Sequence, residues 1–132
     1  MEEKEMIGLK GTAEADVTAE NTARTMGSGS LEVFATPAMC CLMEKAASDL
    51  MDRLLDGGRT TVGISLQIAH SAPTPVGMHV RAEAEITAVD GRRISFRVTA
   101  SDDSGEIGSG THERFIVYRD RFQERADARL KG

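Results

Sequence analysis

The chain has 132 residues, 40% hydrophobic and 28% charged, with 4% aromatic and no tryptophan. That is enough chain for one ordinary globular core but not for two, so a single domain over 1–132 is expected. Sixteen Lys and Arg against 21 Asp and Glu give a net charge of −5, which speaks against a nucleic-acid partner, whose footprint would be basic. No apolar run approaches the ~20 residues of a membrane span, and the charged start Met1-Glu2-Glu3-Lys4-Glu5 does not read as a secretory leader.

Residues 7 to 17 alternate, with Ile7, Leu9, Ala13, Ala15 and Val17 apolar between charged and polar neighbours. A half-buried strand repeats in this way. Residues 18 to 30 are small and polar, ending Gly27-Ser28-Gly29-Ser30, and read as a loop long enough to be a lid. Thr36-Pro37 then opens a helix, with Thr36 as N-cap and proline at the first helical position. Met39, Leu42, Met43, Ala46, Ala47, Leu50, Met51, Leu54 and Leu55 recur at helical spacing up to Asp56-Gly57-Gly58.

Four strands follow. Val62, Ile64, Leu66 and Ile68 alternate. So do Met78, Val80, Ala82, Ala84, Ile86 and Ala88, up to the hairpin signal Asp90-Gly91. Ile94, Phe96, Val98 and Ala100 lead to a turn at 102–105. A last strand covers 107 to 118, where Gly108 and Gly110 suggest a bulge or a close backbone approach. Residues 120 to 130 can form a short helix with Phe122, Ala126 and Leu130 on one side. The predicted fold is α+β: one long helix wrapped by a five-stranded antiparallel sheet. Sheet edges need covering, so a homodimer joined edge to edge is expected.

Few residues invite chemistry. Glu44 sits at the margin of the apolar helical stripe. It is either a solvated helix edge or a carboxylate whose desolvation suits it to be a base or nucleophile. His70 continues the even register of its strand toward the helix, either as a satisfied rim residue or as a proton-transferring group. Thr36, explained already as a cap, could also orient an incoming carbonyl at the positive end of the helix. Thr36 and Glu44 lie about 12 Å apart along the axis, so a shared site needs a long reach, a spanning substrate or a second subunit. Arg114 is a further candidate. Arg92-Arg93 reads as a solvated pair, and His79 and His112 as exposed strand positions. The adjacent Cys40-Cys41 point about 100° apart on a helix and match no metal spacing, so a reducing cytoplasm and no metal are expected.

Five segments in combination resemble the fluoroacetyl-CoA thioesterase-like family of hotdog-fold proteins. They are Phe34-Ala35-Thr36-Pro37-Ala38-Met39, Leu42-Met43-Glu44, Ala69-His70-Ser71-Ala72-Pro73-Thr74-Pro75-Val76-Gly77, Val89-Asp90-Gly91-Arg92-Arg93, and Glu106-Ile107-Gly108-Ser109-Gly110-Thr111-His112-Glu113-Arg114. The resemblance spans about residues 8 to 130. It implies a dimeric acyl-CoA thioesterase with Thr36, Glu44 and His70 as catalytic residues and Gly63 and Arg114 at the acyl end of the pocket. CoA would enter as part of the substrate, with no retained cofactor. The family's fluoroacetate-specific members carry an aromatic lid residue shortly before the Phe-Ala-Thr segment. Here that stretch is Gly27-Ser28-Gly29-Ser30, which implies a broader or different short acyl group. Two other readings stand beside this one: an acyl-CoA-binding dimer without turnover, and a hotdog enoyl-CoA hydratase.

Overall fold

The computed structural model describes residues 3–132. The charged start at Met1 and Glu2 lies outside the described residues, and the first of them, Glu3–Met6, form a short helix α1. Strand β1, Lys10–Asp16, turns Ala13 inward and Lys10, Glu14 and Asp16 outward. Ile7 is half exposed and Met6 is buried in its place, because the chain turns at Gly8 (φ 93°) before the strand begins. A 3-10 turn, Ala19–Asn21, and helix α2, Ala23–Met26, follow. Helix α3 spans Thr36–Leu54. Strands β2 (Arg59–His70), β3 (His79–Asp90), β4 (Arg93–Asp102) and β5 (Gly105–Tyr118) complete one antiparallel sheet in the order β1-β3-β4-β5-β2. Helix α4, Arg119–Ala128, closes the chain. This is the helix-in-sheet arrangement that the sequence pattern predicts.

The core lies between α3 and the concave face of the sheet. Met39, Met43, Ala46, Ala47 and Met51 have no exposed surface, and they meet Val80, Ala82, Ile86, Ile94, Phe96 and Val98. Burying a side chain of this size stabilises by about 1.5–3 kcal/mol, and methionine's flexible chain fills the uneven gap between rod and curved sheet. At one point the helix comes so near that no side chain fits. A Cβ on Gly11 would collide with the Ala46 carbonyl oxygen and lie 2.7 Å from Leu50 Cβ.

Five sequence expectations change. The alternation of β3 breaks at a register shift between Ile86 and Ala88, so Ala88 is exposed and Val89 packs against the core in its place. The N-cap of α3 is Ala35, which makes no side-chain cap, and Thr36 is the first helical residue. The loop at 18–30 contains ordered structure. Thr18 and Asn21 cap each other's backbone, and Thr22 Oγ1 accepts from Thr25 N–H. The alternation of β2 breaks at a register shift between Gly63 and Ser65. Thr61 is therefore buried and Ile64 is 45% exposed, where plain alternation put Ile64 inside. The terminal helix ends at Ala128. Leu130, in a 3-10 turn Arg129–Lys131 beyond it, is 92% exposed, while Phe122 of the helix is half-buried. The arginines of the helix stack on rings, Arg121 on Tyr118 at 5.4 Å and Arg125 on Phe122 at 5.6 Å. The glycines of β5 meet expectation. A register shift in β4, between Ala100 and Ser101, lies opposite Gly108 and Glu106, and a Cβ on Gly110 would strike the Gln67 carbonyl across the ladder.

The two sheet edges differ. β1 is seven residues long and carries Lys10, Glu14 and Asp16. β2 is twelve residues long, and beyond Arg59 it bears no Lys, Arg, Asp, Glu or Pro. Charge and proline are the usual protection of a free edge. No helix among the described residues is long and apolar enough to cross a membrane.

Candidate functional site

Two clusters hold the residues singled out in the sequence. The first is at the start of α3. Thr36 Oγ1 lies 2.8 Å from His70 Nδ1, joining the helix to the last residue of β2. Nothing in the first turn of α3 claims the Thr36 hydroxyl as a cap, which leaves it free for the imidazole. Burial pushes the His70 imidazole below its ordinary range, so its neutral form prevails at neutral pH. Its Nε2 is buried and has no hydrogen-bond partner among the described residues. Thr36, His70, Ala23, Ser28, Val33 and Phe34 line a cavity of about 310 Å³. The 27–30 stretch contributes Ser28 to it and no ring.

The second cluster lies two turns along the helix. Glu44 is 45% exposed, and its Oε2 accepts from Arg114 Nη1 at 3.3 Å. Of the two readings open for Glu44, the side chain is nearer the solvated helix edge: it is half open and ion-paired. Gly63 lies directly beneath it: a Cβ there would sit 2.5 Å from Glu44 Oε2 and 3.4 Å from Arg114 Nη1. Arg114 is buried. Its Nε donates to Thr61 Oγ1 at 2.7 Å and its Nη2 to the Thr61 carbonyl at 3.0 Å. Burial draws the guanidinium down from its usual range, and the charge of Glu44 opposes that shift.

His112 belongs to this cluster, and the sequence reading missed it. It is 1% exposed, not an exposed strand residue. Its ring stacks on Phe96 with centroids 5.8 Å apart. Its Nε2 lies 3.2 Å from Arg114 Nη1 and 4.0 Å from Glu44 Oε2. The signal was available: His112 shares the even register of Arg114 and Ile116, and it faces Phe96 across the ladder. His79 is exposed, as expected, between Asp16 and Glu14. Arg92 is not simply solvated, since its guanidinium lies 5.0 Å above the Phe115 ring.

The structure thus joins Thr36 to His70 and joins Glu44 to Gly63 and Arg114. Within one chain it does not bring the two groups together. Gly63 and His70 are seven steps apart on β2, roughly 20 Å at the usual rise. Cys40 and Cys41 are both free. Among the described residues, no three His, Cys, Asp or Glu side chains form a group that could hold a metal ion.

The comparisons with known proteins concern the family and the fold. Residues 17–120 match the family model FlK, fluoroacetyl-CoA-specific thioesterase. The chain is 45% identical over 91 residues to the fluoroacetyl-CoA thioesterase of Streptantibioticus cattleyicolor. That alignment covers 69% of this chain and 66% of the relative, just under two thirds of its length. Among solved structures, the fluoroacetyl-CoA thioesterase FlK superposes with a TM-score of 0.85 at 37% identity over 96% of each chain. An FlK variant in complex with fluoroacetate and CoA gives 0.82 at 38% identity, over 88% of this chain and 98% of that one. A thioesterase-superfamily protein from Thermus thermophilus gives 0.85 at 31% identity, over 95% and 92%. With its helix-wrapping sheet and a family match over most of its length, the chain belongs to the fluoroacetyl-CoA-specific thioesterase family of hotdog-fold acyl-CoA thioesterases.

Proposed function

We propose that the protein hydrolyses short-chain acyl-CoA thioesters to the free acid and CoA, in active sites that each draw on two subunits of a homodimer. The observation that carries this reading is the split site on one unprotected strand. Thr36 and His70 lie at one end of β2, and Glu44, Gly63 and Arg114 lie toward the other. Because the bulged Ile64 takes no place in the ladder, an antiparallel two-fold centred on Gln67 sets Gly63 opposite His70 of the partner subunit. The same operation covers the charge-poor edge. His70 Nε2, which lacks a partner in one chain, then faces the carboxylate half or the substrate between them. A buried polar atom left unpaired costs about 1–3 kcal/mol, so such a site favours being completed.

The chemistry follows from the residues. Glu44 attacks the thioester carbonyl, forming an acyl anhydride and expelling the CoA thiolate, and water then cleaves the anhydride. Alternatively, Glu44 takes a proton from the attacking water directly. His70, neutral and held by Thr36, takes a proton from the water that cleaves the anhydride and passes it to the CoA thiolate; in the direct route it relays to sulfur the proton that Glu44 takes from water. The first turn of α3 offers its unused N–H groups to the oxyanion, each worth about 3–4 kcal/mol when well placed. Gly63 leaves room for the acyl group beside Glu44, and Arg114 fixes the carboxylate. A cavity of about 310 Å³ without an aromatic wall at 27–30 suits a small acyl group and does not single out the fluorinated one. We place the reaction in the cytoplasm, where Cys40 and Cys41 stay reduced.

Thiol release from a panel of acyl-CoAs tests the activity. Glu44→Gln and His70→Ala should each abolish most turnover. Mixing the two inactive variants tests the shared site. Half of the re-formed dimers are mixed, each with one intact site, so about one quarter of wild-type activity should return. No recovery on mixing, with subunit exchange verified, sinks the shared site. Saturable binding without thiol release would mark a binder, and loss of enoyl absorbance would mark a hydratase.

A further inference from the structure

We propose that His112 is a positioning residue for Glu44: it holds the Arg114 guanidinium so that one nitrogen grips one carboxylate oxygen and leaves the other free to react. This rests on the catalytic reading of Glu44 and adds to it a residue that nothing above assigned.

The hydrogen-bond chain has one consistent assignment of protons. His112 Nδ1 lies 2.7 Å from the carbonyl oxygen of Ser65. A carbonyl can only accept, so Nδ1 carries the proton. Ser65 follows the register shift in β2, so that irregular step supplies the anchor. Burial and the neighbouring Arg114 both hold the imidazole below its ordinary range, against a smaller opposing pull from Ser65 and Glu44. The ring is therefore neutral, and Nε2 presents a lone pair. Arg114 Nη1, 3.2 Å away, can only donate.

The guanidinium is planar, so fixing its edges fixes its aim. Thr61 takes Nε and Nη2 through its hydroxyl and its carbonyl. The remaining nitrogen, Nη1, divides its two hydrogens between His112 Nε2 and Glu44 Oε2. Remove the Nε2 acceptor, and Nη1 has a buried hydrogen with nothing to meet. The fork then turns, or it closes on both oxygens of Glu44. Either change misplaces the reacting carboxylate. His112 is itself immobilised, 1% exposed and stacked on Phe96.

Two substitutions separate this role from space filling. His112→Phe keeps a ring against Phe96 and removes both nitrogens. His112→Gln can still donate to Ser65 and accept from Arg114. His112→Phe should lower kcat about 30-fold with KM changed less than threefold, while His112→Gln stays within about fivefold of wild type. Equal losses in both variants, in step with a fall in Tm, would mark a purely structural residue and overturn the proposal, as would wild-type kcat in His112→Phe. A substrate-free readout keeps the test independent of turnover. Nitrogen-15 NMR at neutral pH should show the His112 ring protonated at Nδ1 only, and His112→Phe should lose the slowly exchanging Arg114 Nε–H signal that His112→Gln retains. A cationic ring or the Nε2–H tautomer overturns the proposal. Full turnover by Glu44→Gln instead overturns the role of Glu44, while the NMR result still decides whether His112 fixes Arg114.

Discussion

The two ends of the exposed stripe on α3 follow opposite plans. At Thr36 and His70, one hydrogen bond joins two neutral groups and a buried nitrogen is left over. At Glu44, four of the five N–H groups of one guanidinium are engaged, by Thr61, His112 and the carboxylate. One half is densely bonded and rigid, and the other leaves a buried nitrogen free. A site assembled from both gains a fixed reactive group on one side and an adaptable proton carrier on the other. Pre-set geometry of this kind is where much of a rate enhancement originates.

Substitution at the rigid half should have the largest effect. Glu44→Gln keeps the shape and removes the charge, and kcat for acyl-CoA hydrolysis should fall about 10³-fold, the scale of losing a base or nucleophile. Turnover within tenfold of wild type would leave the rigid half without a catalytic purpose. Gly63→Ala is next. The added methyl meets the flexible end of Glu44 and not backbone, so the carboxylate moves and the fold survives. The expected loss is about 10²-fold in kcat with Tm nearly unchanged.

At the open half the effect should be smaller and cleaner. Thr36→Val removes the hydroxyl facing His70 and should cost about tenfold in kcat, with Thr36→Ser retaining most activity. Because Ala35 is the cap, unfolding stability should change by less than about 0.5 kcal/mol, where loss of a true cap costs about 0.5–2. A larger loss on denaturant melting would restore Thr36 to the cap role.

The smallest effect is in pH. The imidazoles of His70 and His112 are pushed down by burial. Below about pH 6.5 the unfolded chain accepts protons that the folded chain refuses, so stability falls as pH drops. His79 is pushed up, chiefly by its hydrogen bonds to Asp16 and Glu14. Its contribution is complete below the ordinary histidine range and is lost as pH rises through the folded value. Thermal unfolding from pH 5 to 8 should show His112→Gln flattening the acid loss and His79→Gln flattening the gentler alkaline one.

Much of this architecture was legible because periodic burial writes itself into sequence. The stripe from Met39 to Met51, the turn at Asp90-Gly91, the alternation of β4 and that of β3 as far as Ile86 each satisfy a single rule. What escaped was every place where a rule was locally broken. The shift at Gly63/Ser65 moved the inward positions from even to odd residues, so Thr61 went unnoticed as the partner of Arg114. Alternation with apolar residues would set His112 outside, but its neighbours Thr111 and Glu113 are polar. Its even register with Arg114 and Ile116 and its cross-strand pairing with Phe96 place it inside. Thr36 looked like a cap because proline follows it, and its hydroxyl went instead to a residue 34 positions away. The short turns at 19–26 carry their own sign, Thr at the cap positions 18 and 22 with Asn21 and Thr25 three residues on. Glu44 and His70 stood out by position, at the margin of the helical stripe and in the even register of a strand, whereas Gly63 was marked by the family resemblance alone, since chemistry at a site obeys no repeat.

The contact between Gly11 and the Ala46 carbonyl governs more than fit. A helix moves as a stiff rod, so its azimuth about its own axis is set where it bears hardest on its support. That bearing point lies two residues from Glu44. A methyl group on Gly11 would lift and roll the rod, swinging Glu44 and Thr36 through arcs that grow with their distance from the pivot. A bare backbone on the outermost strand β1 thereby serves as the alignment stop for the residues of the proposed site at the other margin of the sheet.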